Sequence, residues 1–256
     1  MNSSTRTLLI VLVIIGLFSG NVWAQSTVKS SLVSYPSGQD KISGFLAEPE
    51  TAGRYPGLVI IHEWWGLNAQ IKDEAKKLAR EGYVALAVDL YRGQVTRDPG
   101  QAKRLSRSLP RERALRDMRA AIAFLKSRPN VRLDKIGSLG WCMGGGQNLI
   151  LAINSPELSA CVIYYGRLTS DRERLRRINC PVLGIFGEED RAIPVAGVKT
   201  FEKAMKDLGK DISIYVYPRA GHAFANPTRG SSYRPEATAD AWNKTLAFFN
   251  KHLMSR

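Results

Sequence analysis

Cysteine and histidine are scarce in this chain, three of each in 256 residues. No C-x-x-C pair occurs, which removes dithiol exchange from consideration. No internal repeat or low-complexity segment is present, so repeat arrays and disordered tracts are excluded. The longest apolar run, Leu8 to Phe18, is too short to span a bilayer comfortably. Basic side chains exceed acidic ones, giving a net charge of +14. Yet the basic stretch Arg167 to Arg177 mixes both signs and has no interleaved aromatics, as a nucleic-acid surface would want. It reads as a solvated face, and no nucleic-acid partner is expected. The positive field can still attract anionic substrates. What remains is ordinary globular composition, 44% hydrophobic and 23% charged, long enough for one large α/β domain.

The first 24 residues stand apart. Arg6 precedes the short apolar run, and Val22 and Ala24 occupy the small positions before Gln25. This pattern predicts a signal peptide cleaved after Ala24, a domain over 25–256, and a periplasmic or secreted protein with no lasting membrane anchor. An uncleaved anchor is the alternative. In an oxidising compartment, three cysteines leave at least one unpaired. Cys161 and Cys180 each open an apolar run, so a bridge between them would free Cys142. Two separate buried thiols are favoured, because adjacent strand positions often miss disulfide geometry.

Along the rest of the chain, Lys29 to Tyr35 and Lys41 to Glu48 alternate apolar and polar residues, predicting a hairpin. The continuous apolar run Leu58 to Ile61 predicts a strand buried on both faces, and Tyr83 to Val88, Lys135 to Gly140, Cys161 to Tyr164, Val182 to Phe186 and Ile212 to Tyr217 predict further strands. Between them, helical periodicity covers Ala69 to Arg80, Ala114 to Leu125, Gly144 to Asn154, Pro194 to Leu208 and Pro235 to His252. Alternation of this kind predicts a mostly parallel sheet of about eight strands, covered on both faces. Ligands gather at the carboxyl ends of such strands.

Three candidate residues fall at those ends. Gly140-Trp141-Cys142-Met143-Gly144 has the form of a nucleophile elbow, with Cys where Ser is usual. The flanking glycines leave no side chain to clash across a tight strand-to-helix turn. The turn sets the sulfur at a helix N-terminus, whose positive end favours the anion. Asp190 follows the Val182 to Phe186 strand, with Glu188 and Glu189 as nearby substitutes. His222 follows Ile212 to Tyr217. The order nucleophile, acid, histidine is that of α/β-hydrolases. His222 can take the thiol proton, and a carboxylate can orient its ring. His62 reads as structural and His252 as exposed. In the loop His62-Glu63-Trp64-Trp65-Gly66, the amide of Trp64 is positioned with that of Met143 to form an oxyanion hole. Glu63, a carboxylate beside an apolar pocket, invites a raised pKa and a part in proton transfer.

With these elements in place, and with Asp89-Leu90-Tyr91-Arg92 and Gly221-His222-Ala223-Phe224, the chain resembles the dienelactone hydrolase family over nearly its whole length after residue 24. The resemblance implies an α/β-hydrolase fold and a Cys142, Asp190 and His222 triad. It implies that Glu63 helps control the ionisation of Cys142, and that no metal or organic cofactor takes part. The implied activity is attack of the thiol on an ester or lactone carbonyl, then hydrolysis of the acyl-enzyme. Members of the family hold a substrate carboxylate with arginines. Here Arg92 directly follows Tyr91, Asn226 stands where a second arginine is expected, and Arg229 is the nearest replacement. Trp65, Tyr91, Trp141 and Phe224 are the remaining candidates to line the substrate pocket.

The reading is a cysteine-dependent hydrolase of small esters or lactones, including anionic ones, working as a monomer or small homo-oligomer. A general esterase or thioesterase is the nearest alternative. A non-catalytic binding protein on the same fold is the alternative of another class.

Overall fold

The computed structural model describes residues 27–254. The expected signal peptide lies outside these residues. The hairpin comes first, as β1 (Val28–Ser37) and β2 (Asp40–Pro49), paired antiparallel from Val28 opposite Pro49 to Ser37 opposite Asp40. The remaining strands are β3 (Tyr55–Ile61), β4 (Val84–Val88), β5 (Val131–Trp141), β6 (Ala160–Tyr164), β7 (Val182–Gly187) and β8 (Ile212–Tyr217). They form one eight-stranded sheet in the order β1-β2-β4-β3-β5-β6-β7-β8. From β4 to β8 every pairing is parallel, while β2 meets β4 antiparallel.

The helices are α1 (Ala69–Arg80), α2 (Pro99–Ser108), α3 (Arg111–Lys126), α4 (Met143–Asn154), α5 (Arg172–Arg176), α6 (Val195–Asp207) and α7 (Pro235–Phe249). Two apolar layers result. Residues of α3, α4, α5 and α6 pack into one, with Met118, Leu149, Leu175 and Phe201. Residues of α1 and α7 pack into the other, with Ile71, Leu78, Ala241 and Phe249. Strands β3, β4, β6 and β7 are almost wholly buried, because helices cover both faces.

Two helices go beyond the sequence expectation. Asp98 caps α2 by accepting from the Gln101 amide at 2.7 Å, and Pro99 pre-sets its first turn. Only Ala102 of α2 is buried, so its apolar periodicity is thin. Short α5 lies in the charged stretch and is capped by Asp171 in the same way. Cys161 and Cys180 are unbridged and buried, and Cys142 is the half-buried thiol.

Candidate active site

The elbow turns between β5 and α4. Cys142 has φ 54° and ψ −118°, a left-handed conformation for a residue with a side chain. Such a conformation costs on the order of 1–3 kcal/mol and persists only where the surroundings hold it. Here the Cys142 amide donates to the Tyr164 carbonyl at 3.0 Å, and its own carbonyl accepts from Gly146 at 3.2 Å. The glycines are a packing requirement. A Cβ on Gly140 would meet the Gly144 carbonyl oxygen at 2.2 Å, and one on Gly144 would meet the Ile61 carbonyl oxygen at 2.3 Å. Strand β3 and helix α4 therefore approach closely enough to press the elbow against the loop carrying Glu63.

Three loops from three different strand ends meet at the sulfur. His222 Nε2 lies 3.1 Å from Cys142 Sγ. His222 Nδ1 lies 2.7 Å from Asp190 Oδ2. Asp190 Oδ1 accepts from the Ala192 and Ile193 amides at 2.8 and 3.0 Å, so both carboxylate oxygens are engaged. Burial opposes the charge on Asp190, but the hydrogen bond and charge of His222 outweigh it and hold the carboxyl below its usual range. Burial likewise opposes a charged His222. Its hydrogen bonds to Asp190 and Cys142, with their charges, win and push it up to about 10.

Glu63 is 3% exposed. Asn226 Nδ2 donates to its Oε2 at 2.5 Å, and the Tyr165 hydroxyl to its Oε1 at 3.4 Å. Burial raises its pKa. The Asn226 hydrogen bond, the charges of His222 and Arg229, and the Tyr165 hydroxyl oppose that rise without cancelling it. The loop bearing Glu63 and Trp64 is pinned by His62, which is completely buried. His62 Nδ1–H donates to the Glu63 carbonyl at 2.5 Å, and Nε2 accepts from the Leu90 amide at 3.3 Å. Burial lowers the His62 pKa, in keeping with the neutral ring this pattern requires. Its structural reading stands.

The candidate substrate residues divide. Arg229 is exposed, with its guanidinium 4.7 Å from the centre of the Trp65 ring. Trp65 packs edge-on against the half-buried Trp64. Tyr91 is 3% exposed, and its hydroxyl donates to Met143 Sδ at 3.1 Å, beside the elbow. Three residues are placed otherwise than expected. The Arg92 guanidinium is committed to the buried Asp117 at 2.9 Å and to the Lys41 carbonyl at 3.2 Å, because a buried carboxylate that Ser37 and the more distant Arg116 only partly compensate still demands a close cation. Trp141 packs on Tyr164 in the α1–α7 layer, since alternate side chains of β5 leave opposite faces. Phe224 is completely buried and packs edge-on against Tyr165.

Sequence reasoning missed Tyr165. It has φ 35°, follows β6 directly, and meets the His222 ring edge-on at 5.2 Å. Its place one residue past a buried strand was the available signal. Among the described residues, no group of His, Cys, Asp and Glu has the makings of a metal site.

This arrangement can take a proton from sulfur at Nε2 and hold the resulting imidazolium against a buried carboxylate. The sequence profile described as the Dienelactone hydrolase family matches residues 42–253. A protein of Synechocystis sp. assigned as a carboxymethylenebutenolidase is 31% identical over 246 residues, covering 88% of this chain and 98% of its own. One from Saccharolobus solfataricus with the same assignment is 33% identical over 258 residues, covering 86% of this chain and 97% of its own. The crystal structure of a Klebsiella pneumoniae protein assigned as a dienelactone hydrolase matches with a TM-score of 0.81 at 29% identity, over 88% of this chain and 99% of that one.

Proposed function

The chain belongs to the dienelactone hydrolase family, and we propose that it hydrolyses small carboxylic esters or lactones through Cys142, His222 and Asp190. The observation that carries this reading is His222, bonded at one ring nitrogen to Cys142 and at the other to Asp190.

In this reading, His222 Nε2 receives the thiol proton as sulfur attacks the carbonyl carbon. The oxyanion forms against the amides of Trp64 and Met143. The C–O bond to the leaving alkoxide breaks, and His222 returns its proton to that oxygen. Water then attacks the thioester carbonyl, loses a proton to His222, and expels the sulfur, which regains it. The carboxylic acid leaves. Asp190 keeps the ring oriented and supports the imidazolium throughout. Glu63 stands close enough to bias the charge state of the pair.

Arg229 supports an anionic substrate, since it is exposed and held over Trp65. The commitment of Arg92 to Asp117 favours a second reading, a general esterase or thioesterase with a weaker demand for a substrate carboxylate. Hydrolysis of a panel of lactones, neutral esters, anionic esters and thioesters separates the two, with Cys142→Ala as the control. Retained turnover in that variant overturns the cysteine mechanism. Residues 1–24 fit an export signal, which makes the working enzyme periplasmic or secreted. An exported protein whose mass begins at Gln25 is the expected result, and an intact N-terminus refutes cleavage.

A further inference from the structure

A cavity of about 330 Å³ lies apart from the triad, between α1, α7 and the segment that follows His222. Four aromatic residues line it, Trp141, Tyr164, Tyr233 and Trp242, together with Glu74 and Lys77. Glu74 is out of place by pattern. It shares the core-facing stripe of α1 with Ile71, Ala75 and Leu78 and is 6% exposed. A carboxylate at such a position is kept only if something compensates its burial. Lys77 Nζ and Gln70 Nε2 both donate to Oε1, at 3.0 and 3.3 Å, while among the described residues none donates to Oε2. Burial raises the Glu74 pKa, and Lys77 restores only part of the shift.

Lys77 also shows what the cavity favours. Its ammonium lies against Glu74 and 5.8 Å from the centre of the Trp242 ring. A cation between a carboxylate and an aromatic face gains from both. The Lys77 side chain is 50% exposed, so it can swing into water provided that another cation takes its place and compensates the buried Glu74. Two indoles and two phenols exceed what one lysine needs. We propose that this cavity binds a small organic cation, a quaternary or alkylated ammonium, which takes the position Lys77 now holds between Glu74 and the aromatic walls.

Choline and its uncharged carbon isostere, 3,3-dimethylbutan-1-ol, are the probes, followed by calorimetry and by the fluorescence of the cavity tryptophans. Choline is expected to bind and the isostere to bind at least tenfold more weakly. Lys77→Met, which removes the internal competitor, should tighten choline up to about fivefold. Trp242→Leu should weaken it about tenfold. Glu74→Gln should weaken it as well. If that variant fails to fold, the Lys77 and Trp242 variants decide alone, with folding checked by circular dichroism. Equal binding of choline and the isostere overturns the proposal. So does absence of choline binding in both the wild type and Lys77→Met, or indifference to Trp242→Leu.

Discussion

Asn226 Nδ2 donates to Glu63 Oε2 at 2.5 Å, joining residues 163 apart in sequence inside a buried pocket. Asn226 Oδ1 also accepts from the amide and hydroxyl of Thr228, at 2.9 and 2.7 Å, and so starts the short 3₁₀ segment Pro227–Ser232 that carries Arg229. One side-chain amide thus fixes both the buried Glu63 and the segment that carries the exposed Arg229.

Its removal should move a pH profile in a known direction. Burial raises the Glu63 pKa, and the Asn226 hydrogen bond opposes that. In Asn226→Ala, Glu63 should therefore protonate at higher pH, shifting the acid limb of kcat/KM upward. Glu63→Gln should remove that limb's dependence on Glu63. Profiles of the three proteins on one activated ester test this, and an unshifted Asn226→Ala limb contradicts it.

Asp190→Asn keeps the shape of the carboxylate but loses its charge and one acceptor. The ring of His222 then loses its preferred tautomer. In a comparable triad that change lowers kcat on the order of 10⁴-fold, and a similar fall is expected here. Steady-state kinetics with circular dichroism as a fold control tests it. A fall below tenfold would shift the acid's role to Glu188 or Glu189.

His222 also links stability to pH. Its folded pKa is raised from 6.5 to about 10. A group raised on folding binds its proton more tightly in the folded state. Its contribution is complete below about 6.5 and fades as pH rises through 10. The stability gap between the wild type and His222→Gln should therefore narrow from pH 6 to pH 10. Urea midpoints at a series of pH values measure this, and a constant gap would contradict the linkage.

Phe224 is completely buried against Tyr165 and Tyr217. Phe224→Ala should cost about 3–5 kcal/mol, the usual penalty for emptying a packed phenyl site. It should also loosen Tyr165, which contacts both His222 and Glu63. Denaturant unfolding gives the first effect. A loss of kcat in folded protein gives the second.

Gly140→Ala should fail at the elbow. Its Cβ would lie 2.2 Å from the Gly144 carbonyl oxygen, a backbone atom with no room to retreat. Insoluble protein, or folded protein without turnover, is expected. A fully active Gly140→Ala enzyme would mean that the elbow relaxes freely.

Much was legible in the sequence because it depends on local order. The uninterrupted apolar runs of β3, β4 and β7 report strands buried on both faces. The glycines around Cys142 report a turn with no space for a side chain. Chain order alone places Cys142, Asp190 and His222 just past the ends of β5, β7 and β8, and a parallel sheet brings those ends to one edge. The family likeness was readable for the same reason, since its motifs lie on single loops. What a side chain does after leaving its loop depends on partners far away in sequence. Arg92 stands next to Tyr91 in the chain but is claimed by Asp117 of α3. Trp141 adjoins Cys142 but packs on Tyr164 and lines a cavity whose walls include none of Cys142, Asp190 and His222. Tyr165 and Asn226 acquire roles only because β6 and the segment after His222 converge on Glu63. The sequence by itself determined the fold and which residues could do the chemistry, through periodicity and local sterics. Only the tertiary structure decided which charged and aromatic groups face that chemistry, because burial makes each of them take whatever partner lies within hydrogen-bonding reach.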